Sequence, residues 1–370
     1  MSTGFYWDER CFWHAGGNYA LTMPLGGLVQ PMAAGGLPES PETKRRLRNL
    51  MEVTGITRDL AMSSAPPATR EDLERIHPAK YLNDFKALSD AGGGELGLRT
   101  PFAKDGYEIA ALSAGLAKQA LADVLSGKVQ NAYALSRPPG HHCLPDWPNG
   151  FCLMANIPIA IAAAQAGGKA QRVAVVDWDV HHGNGTEHIY YDRDDVLTIS
   201  LHQDHNYPLD TGDVADKGRG AGEGFNINVP LPPGTGHVAY LDAMARIVIP
   251  ALDRFQPDVI IVACGFDAGI YDPIAQMLCT AETFGQMTRM VKDAAARLCD
   301  GRLLLVHEGG YSEVYVPFCA HRVLEVLSGS IITAPDPMAD TVAARQPSAR
   351  VNEFLSGLIS EMAAERGLAP

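Results

Sequence analysis

Short runs of apolar residues recur along the chain, separated by longer segments of mixed apolar and polar character. The run at 173–176 is Val-Ala-Val-Val, which is typical of a strand covered on both faces of a parallel sheet because it is mostly β-branched and carries no polar residue. Similar runs predict further strands at 5–7, 133–135, 196–202, 225–229, 259–264 and 303–306.

The segments between these runs predict helices. Apolar residues in the segment 107–125 recur at a spacing of roughly three to four positions, as on one face of a helix. Thr69, with acidic residues after it, predicts a helix start, and Pro250 predicts a bend. The predicted helices are 42–54, 69–90, 107–125, 151–164, 239–255, 281–298 and 350–366. Strands and helices that alternate in this way predict an α/β fold.

Residues able to bind a metal follow two of the predicted strands. Asp177, Asp179, His181 and His182 come directly after the first run, where the carboxyl end of a strand places ligands. Asp179 and His181 are two positions apart, so their side chains point to one side of an extended segment. Asp267 follows a second strand. Two carboxylates and one imidazole suit zinc in an open catalytic site, and also iron(II) or cobalt. The alternative is a hydrogen-bonded loop anchor.

A histidine pair and a tyrosine follow two other predicted strands. His141 and His142 lie in a turn made rigid by prolines, and a histidine that titrates near neutral pH can act as a base. Tyr311 follows two glycines and can donate a hydrogen bond to a developing oxyanion. Asp177 and Asn184 are candidates for orienting the histidine rings. Each feature alone also occurs in surface turns, but their joint placement favours an active site.

Composition narrows the class of protein. The chain has 370 residues, 46% of them hydrophobic, which suits one large globular α/β domain. A formal net charge of -13 argues against binding of nucleic acid, which requires a basic face. The seven cysteines contain no CxxC pair, so we expect a reducing, cytoplasmic location. No window approaches the length of a membrane span, and we expect no membrane partner.

Five motifs, in order, resemble the motif set of the zinc-dependent histone deacetylases, most closely class II enzymes and bacterial histone deacetylase-like amidohydrolases. They are Arg137-Pro-Pro-Gly-His-His, Asp177-Trp-Asp-Val-His-His-Gly-Asn-Gly-Thr186, Ile199-Ser-Leu-His202, Gly265-Phe-Asp-Ala268 and Glu308-Gly-Gly-Tyr311. The similarity covers residues 5 to 327. It implies a single-domain arginase/deacetylase α/β fold, with a central eight-stranded parallel sheet and helices on both faces.

The resemblance also implies roles for individual residues. One zinc ion per chain would be held by Asp179, His181 and Asp267. His141 and His142 would be the catalytic pair, the second acting as general base, and Tyr311 would stabilise the oxyanion. Asp177 and Asn184 would orient the histidines. A structural potassium ion would use mainly main-chain oxygens, from Asp177, Asp179, His181, Ser200 and Leu201. The substrate tunnel would be formed by Phe151, Tyr207, Ile274, Gly150 and Gly309.

The function implied by the resemblance is removal of acetyl or other acyl groups from amides of the Nε-acyl-lysine type, in a peptide or a small acylated amine, by attack of a metal-activated water. One alternative is an acetylpolyamine amidohydrolase, although Ile274 stands where polyamine-selective relatives carry glutamate. A second is an inactive module that binds acyl-lysine, against which the intact His141, His142 and Tyr311 argue. A dimanganese, arginase-like hydrolase needs a further carboxylate two positions after Asp267, where the chain has Gly269.

We expect two parts along the chain. Residues 1–327 should form the catalytic domain, and the long Gly/Pro-rich loop 10–40 departs from the eukaryotic pattern and leaves the tunnel rim undefined. From 328 the chain becomes rich in Pro, Ala and Ser. Residues 328–370 should form a linker and a helix that packs on the domain or at an oligomer interface. We accordingly expect a homo-oligomer.

Overall fold

Eight parallel strands form one central sheet in the computed structural model, which describes residues 2–15, 17, 19–24, 28–29 and 36–368. The order across the sheet is β6-β5-β4-β7-β8-β3-β1-β2. The strands are β1 (Thr3–Tyr6), β2 (Leu60–Ser63), β3 (Asn131–Ala134), β4 (Val173–Asp177), β5 (Val196–Gln203), β6 (Asn226–Leu231), β7 (Val259–Cys264) and β8 (Leu303–His307). The predicted eight-stranded parallel sheet, with helices around it, is confirmed.

The central strands are those with the clearest sequence pattern. Every residue of β4, β5, β7 and β8 is buried, since helices cover the sheet, and this explains their nearly continuous apolar runs. Because neighbouring strands are parallel and in register, the residues that follow β4, β7 and β8 emerge at one edge of the sheet. The sheet therefore gathers residues that are far apart in sequence.

Two elements differ from the predictions, the edge strand β2 and the segment 69–90. The edge strand β2 has no run of apolar residues, because only Leu60 of its four residues is buried, and the pattern did not predict it. The segment 69–90 is two helices, Arg70–Glu74 and Ala79–Asp90. Pro78 precedes the second helix, and a proline disfavours helical backbone at the residue before it.

The other predicted helices are present with similar bounds, but the helices Val316–Ser328 and Ala339–Ala344 were not predicted. The segment 151–164 is the exception: its helix begins only at Asn156, and residues 151–155 form a loop that faces the site. A π-helical turn, Met244–Val248, interrupts the predicted helix 239–255 just before Pro250, between the α-helices His237–Ala243 and Ile249–Phe255. The remaining α-helices are Glu42–Thr54, Gly106–Leu125, Asn184–Tyr190, His237–Ala243, Ile249–Phe255, Ala281–Leu298, Val316–Ser328, Ala339–Ala344 and Ala349–Glu365.

The C-terminal helix packs against the helix that begins at His237. Ser356 donates a hydrogen bond to Asp242, with 2.8 Å between Oγ and Oδ2, and Leu355 and Ile359 are buried beneath it. All seven cysteines are free thiols and buried. Among the described residues, no helix combines the length and the apolar character needed to cross a membrane.

Thr280 provides a measurable contribution to stability. Its hydroxyl accepts the Thr283 N–H at 3.2 Å, and its own N–H donates to the Thr283 hydroxyl at 2.9 Å, which caps the helix Ala281–Leu298. We expect Thr280→Ala to lower the free energy of unfolding by about 1 kcal/mol. Urea denaturation with an unchanged m value would measure this loss. Thr333→Ala, at an exposed threonine, should change little; equal losses would contradict the capping role.

Candidate active site

Asp179, His181 and Asp267 converge at the carboxyl edge of the sheet. Asp179 and His181 follow β4, and Asp267 follows the adjacent strand β7. His181 Nδ1 lies 3.1 Å from Asp179 Oδ1 and 3.1 Å from Asp267 Oδ2. One ligand atom from each residue lies within 4.8 Å of the others, and all three side chains are buried. These residues can hold one metal ion.

The charges of this cluster favour a cation. Burial lowers the pKa of His181, but hydrogen bonds to Asp179 and Asp267 outweigh that effect and raise it to about 10. Burial and the charge of Asp179 raise the pKa of Asp267 to about 6. The imidazole of His181 thus supplies the positive charge between two buried carboxylates. A divalent ion would satisfy the same oxygens and nitrogen, so this donor set fits a zinc ion.

Gly309 allows the two carboxylates and a tyrosine to approach one another. Its N–H donates to Asp179 Oδ2 at 2.7 Å. A Cβ atom at Gly309 would collide with the Asp267 carboxylate and would lie 2.8 Å from the Tyr311 hydroxyl. The absence of a side chain at this position therefore brings the Tyr311 hydroxyl beside the candidate metal ligands.

The rings of His141 and His142 lie side by side, tilted by 39° with centroids 3.9 Å apart, but their surroundings differ. Burial lowers the pKa of His141, yet the charges of Asp179 and Asp177 raise it to about 10, and its Nδ1 lies 3.0 Å from Asp177 Oδ2. Burial and the positive charges of His141 and His181 lower the pKa of His142 well below its ordinary value. The surroundings therefore favour the charged form of His141 and the neutral form of His142, which divides acid and base roles.

Asn184 determines which nitrogen of His142 is free. The Asn184 Oδ1 atom lies 2.8 Å from His142 Nδ1. An amide oxygen only accepts hydrogen bonds, so Nδ1 carries the proton and Nε2 keeps its lone pair. His142 is therefore arranged to take a proton through Nε2.

A cavity of about 350 Å³ leads to these groups. Phe151 and Tyr311 meet edge to face with centroids 5.8 Å apart, and Tyr207 meets His142 in the same way at 5.1 Å. The described residues that line the cavity are Leu21, Thr22, Arg99, His142, Gly150, Phe151, His181, Asn206, Tyr207, Ile274 and Tyr311. The cavity combines aromatic walls with a few polar groups, an arrangement that suits a ligand with an apolar chain ending in a polar group.

The wall at Gly150 and Phe151 is held in an unusual backbone conformation. Phe151 has φ +67°, which is rare for a bulky residue. Its N–H donates to the Arg99 carbonyl at 3.0 Å, which supports the strained backbone. A Cβ at Gly150 would collide with the His142 ring and come within 2.8 Å of Tyr207. Glycine at 150 thus permits the close packing of His142 and Tyr207 around this wall.

Residues 37–327 match the family model of the histone deacetylase domain. This match includes every motif found in the sequence. The chain belongs to the histone deacetylase family. Family membership confirms the expected hydrolase of the deacetylase class, and members of this family are zinc-dependent.

Individual relatives agree with the family assignment. A histone deacetylase-like amidohydrolase of Pseudomonas aeruginosa is 58% identical over 368 residues, covering 100% of this chain and 97% of the relative. Histone deacetylase 8 of Arabidopsis thaliana is 34% identical over 325 residues, covering 85% of each. The crystal structure of the HDA15 HD domain superposes with a TM-score of 0.80 at 31% identity, covering 100% of this chain and 98% of that one.

The structure of this deacetylase family member places the neighbouring residues His181 and His182, which the sequence analysis grouped together, in different surroundings. His181 faces the cavity, whereas His182 turns away and contacts Thr211 and Glu187. His182 is therefore not part of the metal cluster. The cavity that His181 faces is also lined by the predicted residues His142, Gly150, Phe151, Tyr207, Ile274 and Tyr311. The remaining predicted residues do not line it. Asp179 and Asp267 contact His181, Asp177 and Asn184 contact the histidine pair, and Gly309 donates its N–H to Asp179.

Two acidic residues that sequence reasoning did not assign support the site through backbone contacts. Asp272 accepts the N–H of Tyr311 at 2.9 Å and that of Ile274 at 3.0 Å, which joins two residues that line the cavity. Glu308 Oε2 accepts the N–H of Gly140 at 2.6 Å and that of His141. Burial raises the pKa of Glu308 to about 7. The only sign of the Glu308 contact in the sequence was the place of this residue in the Glu-Gly-Gly-Tyr motif.

A buried ion cluster fastens the N-terminal loop to the histidine turn. Arg137 pairs with Glu39 at 3.0 Å, and Lys44 pairs with the same Glu39 oxygen at 3.1 Å. Arg137 also donates to the carbonyls of Cys11 and His14. Burial raises the pKa of Glu39, but the charges of Arg137 and Lys44 outweigh it and lower the pKa to about 2. Residues 16, 18, 25–27 and 30–35 of the loop 10–40 lie outside the described residues, but these contacts anchor its two ends.

Proposed function

We propose that this chain is a zinc-dependent amidohydrolase that removes acyl groups from amides of the Nε-acyl-lysine type. The observation that carries the proposal is the convergence of Asp179, His181 and Asp267 in one buried cluster, whose His181 lines a cavity that His142 and Tyr311 also line. When bound there, zinc would acidify a water molecule and polarise an amide carbonyl. One ion per chain is proposed, since the site offers three ligands in one cluster.

The protein residues divide the proton transfers. His142, neutral and with Nε2 free, takes the proton of the attacking water. His141, held as a cation beside Asp177, stabilises negative charge as it develops. The Tyr311 hydroxyl, whose pKa burial raises well above its ordinary value, remains protonated and donates to the oxyanion. The proton that His142 takes from the water then passes to the leaving amine as the C–N bond breaks, which balances the transfer.

A structural potassium ion is proposed beside the zinc site. Its oxygens would come from Asp177, Asp179, His181, Ser200 and Leu201. Asp177 and Ser200 support this proposal because they are direct partners in the register of β4 and β5. Potassium-dependent thermal stability would test it, with sodium at the same ionic strength as the control.

The decisive experiment is a panel assay of the zinc-loaded protein. Acetyl-lysine peptides of increasing acyl length and N8-acetylspermidine should be compared by kcat/KM. We expect the lysine amides to be preferred. The polyamine alternative predicts the reverse order. Binding of acyl-lysine peptides without turnover of any substrate would instead favour an inactive binding module.

Ile274 should help set this preference. It lines the cavity, where it offers apolar surface and no charge to a distant ammonium group. We expect Ile274→Glu to shift the kcat/KM ratio toward N8-acetylspermidine by about fivefold, since a carboxylate can pair with that ammonium. Ile274→Gln has the same shape without the charge and serves as the control. An equal shift in both variants would contradict the electrostatic explanation.

The domain boundaries complete the proposal. Residues 1–327 are proposed to form the catalytic domain, and 328–370 a C-terminal segment whose helix contacts it. Formation of a homo-oligomer, a cytoplasmic location and the lack of a nucleic-acid partner stay predictions.

A further inference from the structure

Arg99 places a positive charge toward the open end of the cavity, since it is half-buried whereas His142, His181 and Tyr311, which line the same cavity, are buried. Among the described residues that line the cavity it is the only lysine or arginine. Its guanidinium carbon lies 5.2 Å from the ring centroid of Tyr207, over the face of a ring that walls the passage to the catalytic histidines. A group that enters this passage therefore passes the guanidinium.

The backbone of Arg99 is fixed to the opposite wall. Arg99 has φ +59°, and its carbonyl accepts the N–H of Phe151 at 3.0 Å. The carbonyl of Leu98 accepts the N–H of Gly150 at 3.0 Å, and the N–H of Leu98 donates to Pro148 at 3.3 Å. Arg99 is thus carried on a segment tied to the residues that form the tunnel, and its position is set before a ligand binds.

The Arg99 guanidinium has no anionic partner within the part of the chain that the structure describes. Glu95, the acidic residue nearest to it in sequence, instead accepts hydrogen bonds from the Tyr19 hydroxyl at 2.9 Å and the Thr100 N–H at 3.0 Å. The residues outside the described part include no aspartate or glutamate. The donors of a half-buried guanidinium are therefore available to a ligand.

We infer that Arg99 selects acyl-lysine substrates that carry a carboxylate close to the α-carbon of the acylated residue. This inference rests on the proposed function. With the acyl amide beside His142 and Tyr311, the four-carbon stem of lysine runs past Tyr207, and the α-carbon emerges at the mouth, where Arg99 lies. A carboxylate there matches the guanidinium, while the second ammonium of a polyamine is repelled.

This contact lies far from the reacting carbonyl, so it forms equally in the bound substrate and in the transition state. It should therefore change KM and leave kcat nearly unchanged. Substitution of a residue that merely supports the fold of the tunnel would change kcat as well, because the substitution would displace Phe151 or Tyr207. The division between KM and kcat distinguishes the two roles.

The test uses two pairs of substrates, one for each source of the carboxylate. The first pair is Nα-capped Nε-acetyl-lysine with a free C-terminal carboxylate and its C-terminal amide. The second is an amide-capped peptide with Asp or Asn beside acetyl-lysine. We expect the wild-type protein to prefer the carboxylate in at least one pair by about five- to twentyfold in kcat/KM, through KM.

Three variants isolate the guanidinium. Arg99→Gln should remove the preference and keep kcat on the neutral substrates, and Arg99→Lys should retain part of it. Lys104→Gln, which removes an exposed charge from the same region of the chain, should behave as the wild type. Turnover without a preference in either pair, or a preference that persists in Arg99→Gln, would overturn the inference.

A binding measurement separates this inference from the proposed function. The same ligand pairs can be titrated calorimetrically into Tyr311→Phe protein, with and without Arg99→Gln, so that the preference is read without turnover. A carboxylate preference that depends on Arg99 supports the inference even if the wild-type protein hydrolyses none of the substrates, an outcome that would refute only the proposed function. Equal affinities within both pairs would refute the role of Arg99.

Discussion

A Tyr311→Phe variant should lose about 100- to 1,000-fold in kcat while its KM changes little. The hydroxyl lies beside the two carboxylates of the metal cluster, and Asp272 fixes the backbone that carries it. A donor aimed at the position of the oxyanion acts mainly in the transition state, so its loss should appear in turnover. Steady-state kinetics on an acetyl-lysine peptide would measure both constants.

Tyr207→Phe is the matched control for this experiment. It also removes one hydroxyl from the cavity, but that hydroxyl donates to Asn149 and forms part of the wall. Its kcat should stay within about threefold of the wild type. If Tyr311→Phe behaved like Tyr207→Phe, the oxyanion role of Tyr311 would be wrong.

Removal of the metal should abolish turnover. Asp179→Ala takes away one of three ligands and also the acceptor of the Gly309 N–H, so we expect both the bound zinc and activity to fall on the order of 1,000-fold. Metal analysis should find one ion per chain in the wild-type protein. Chelation should inactivate it, and added zinc should restore it.

Asp146→Ala serves as the control, because Asp146 is an exposed carboxylate near the histidine turn. This variant should keep its zinc and its activity. A stoichiometry near two ions per chain, or full activity of Asp179→Ala, would contradict the proposed site.

The sequence predicted the site best where a fully buried strand is followed by residues that can bind a metal. The strands β4 and β7 are buried on both faces, so their apolar runs point directly to Asp179, His181 and Asp267 at their ends. The edge strand β2 lacks such a run because most of it is not buried, and it was missed.

The residues that sequence reasoning did not assign act through three-dimensional contacts alone. Asp272 and Glu308 accept hydrogen bonds from backbone N–H groups. Such a contact does not restrict the side chain of the donor residue, so the sequence does not reveal it. Arg99 matters because its segment is tied to Phe151, more than fifty positions along the chain. No local pattern of apolar and polar residues encodes such pairings, so they become visible only once the chain is folded.

The buried ion cluster affects the choice of boundaries for expressing and crystallising this protein. A chain shortened to begin at Leu37, where the family match starts, would lack β1, which lies between β3 and β2 in the sheet. It would also lack the carbonyls of Cys11 and His14 that receive the Arg137 guanidinium beside the histidine turn. Fragments intended for biophysical work should therefore retain the residues that precede the recognised domain.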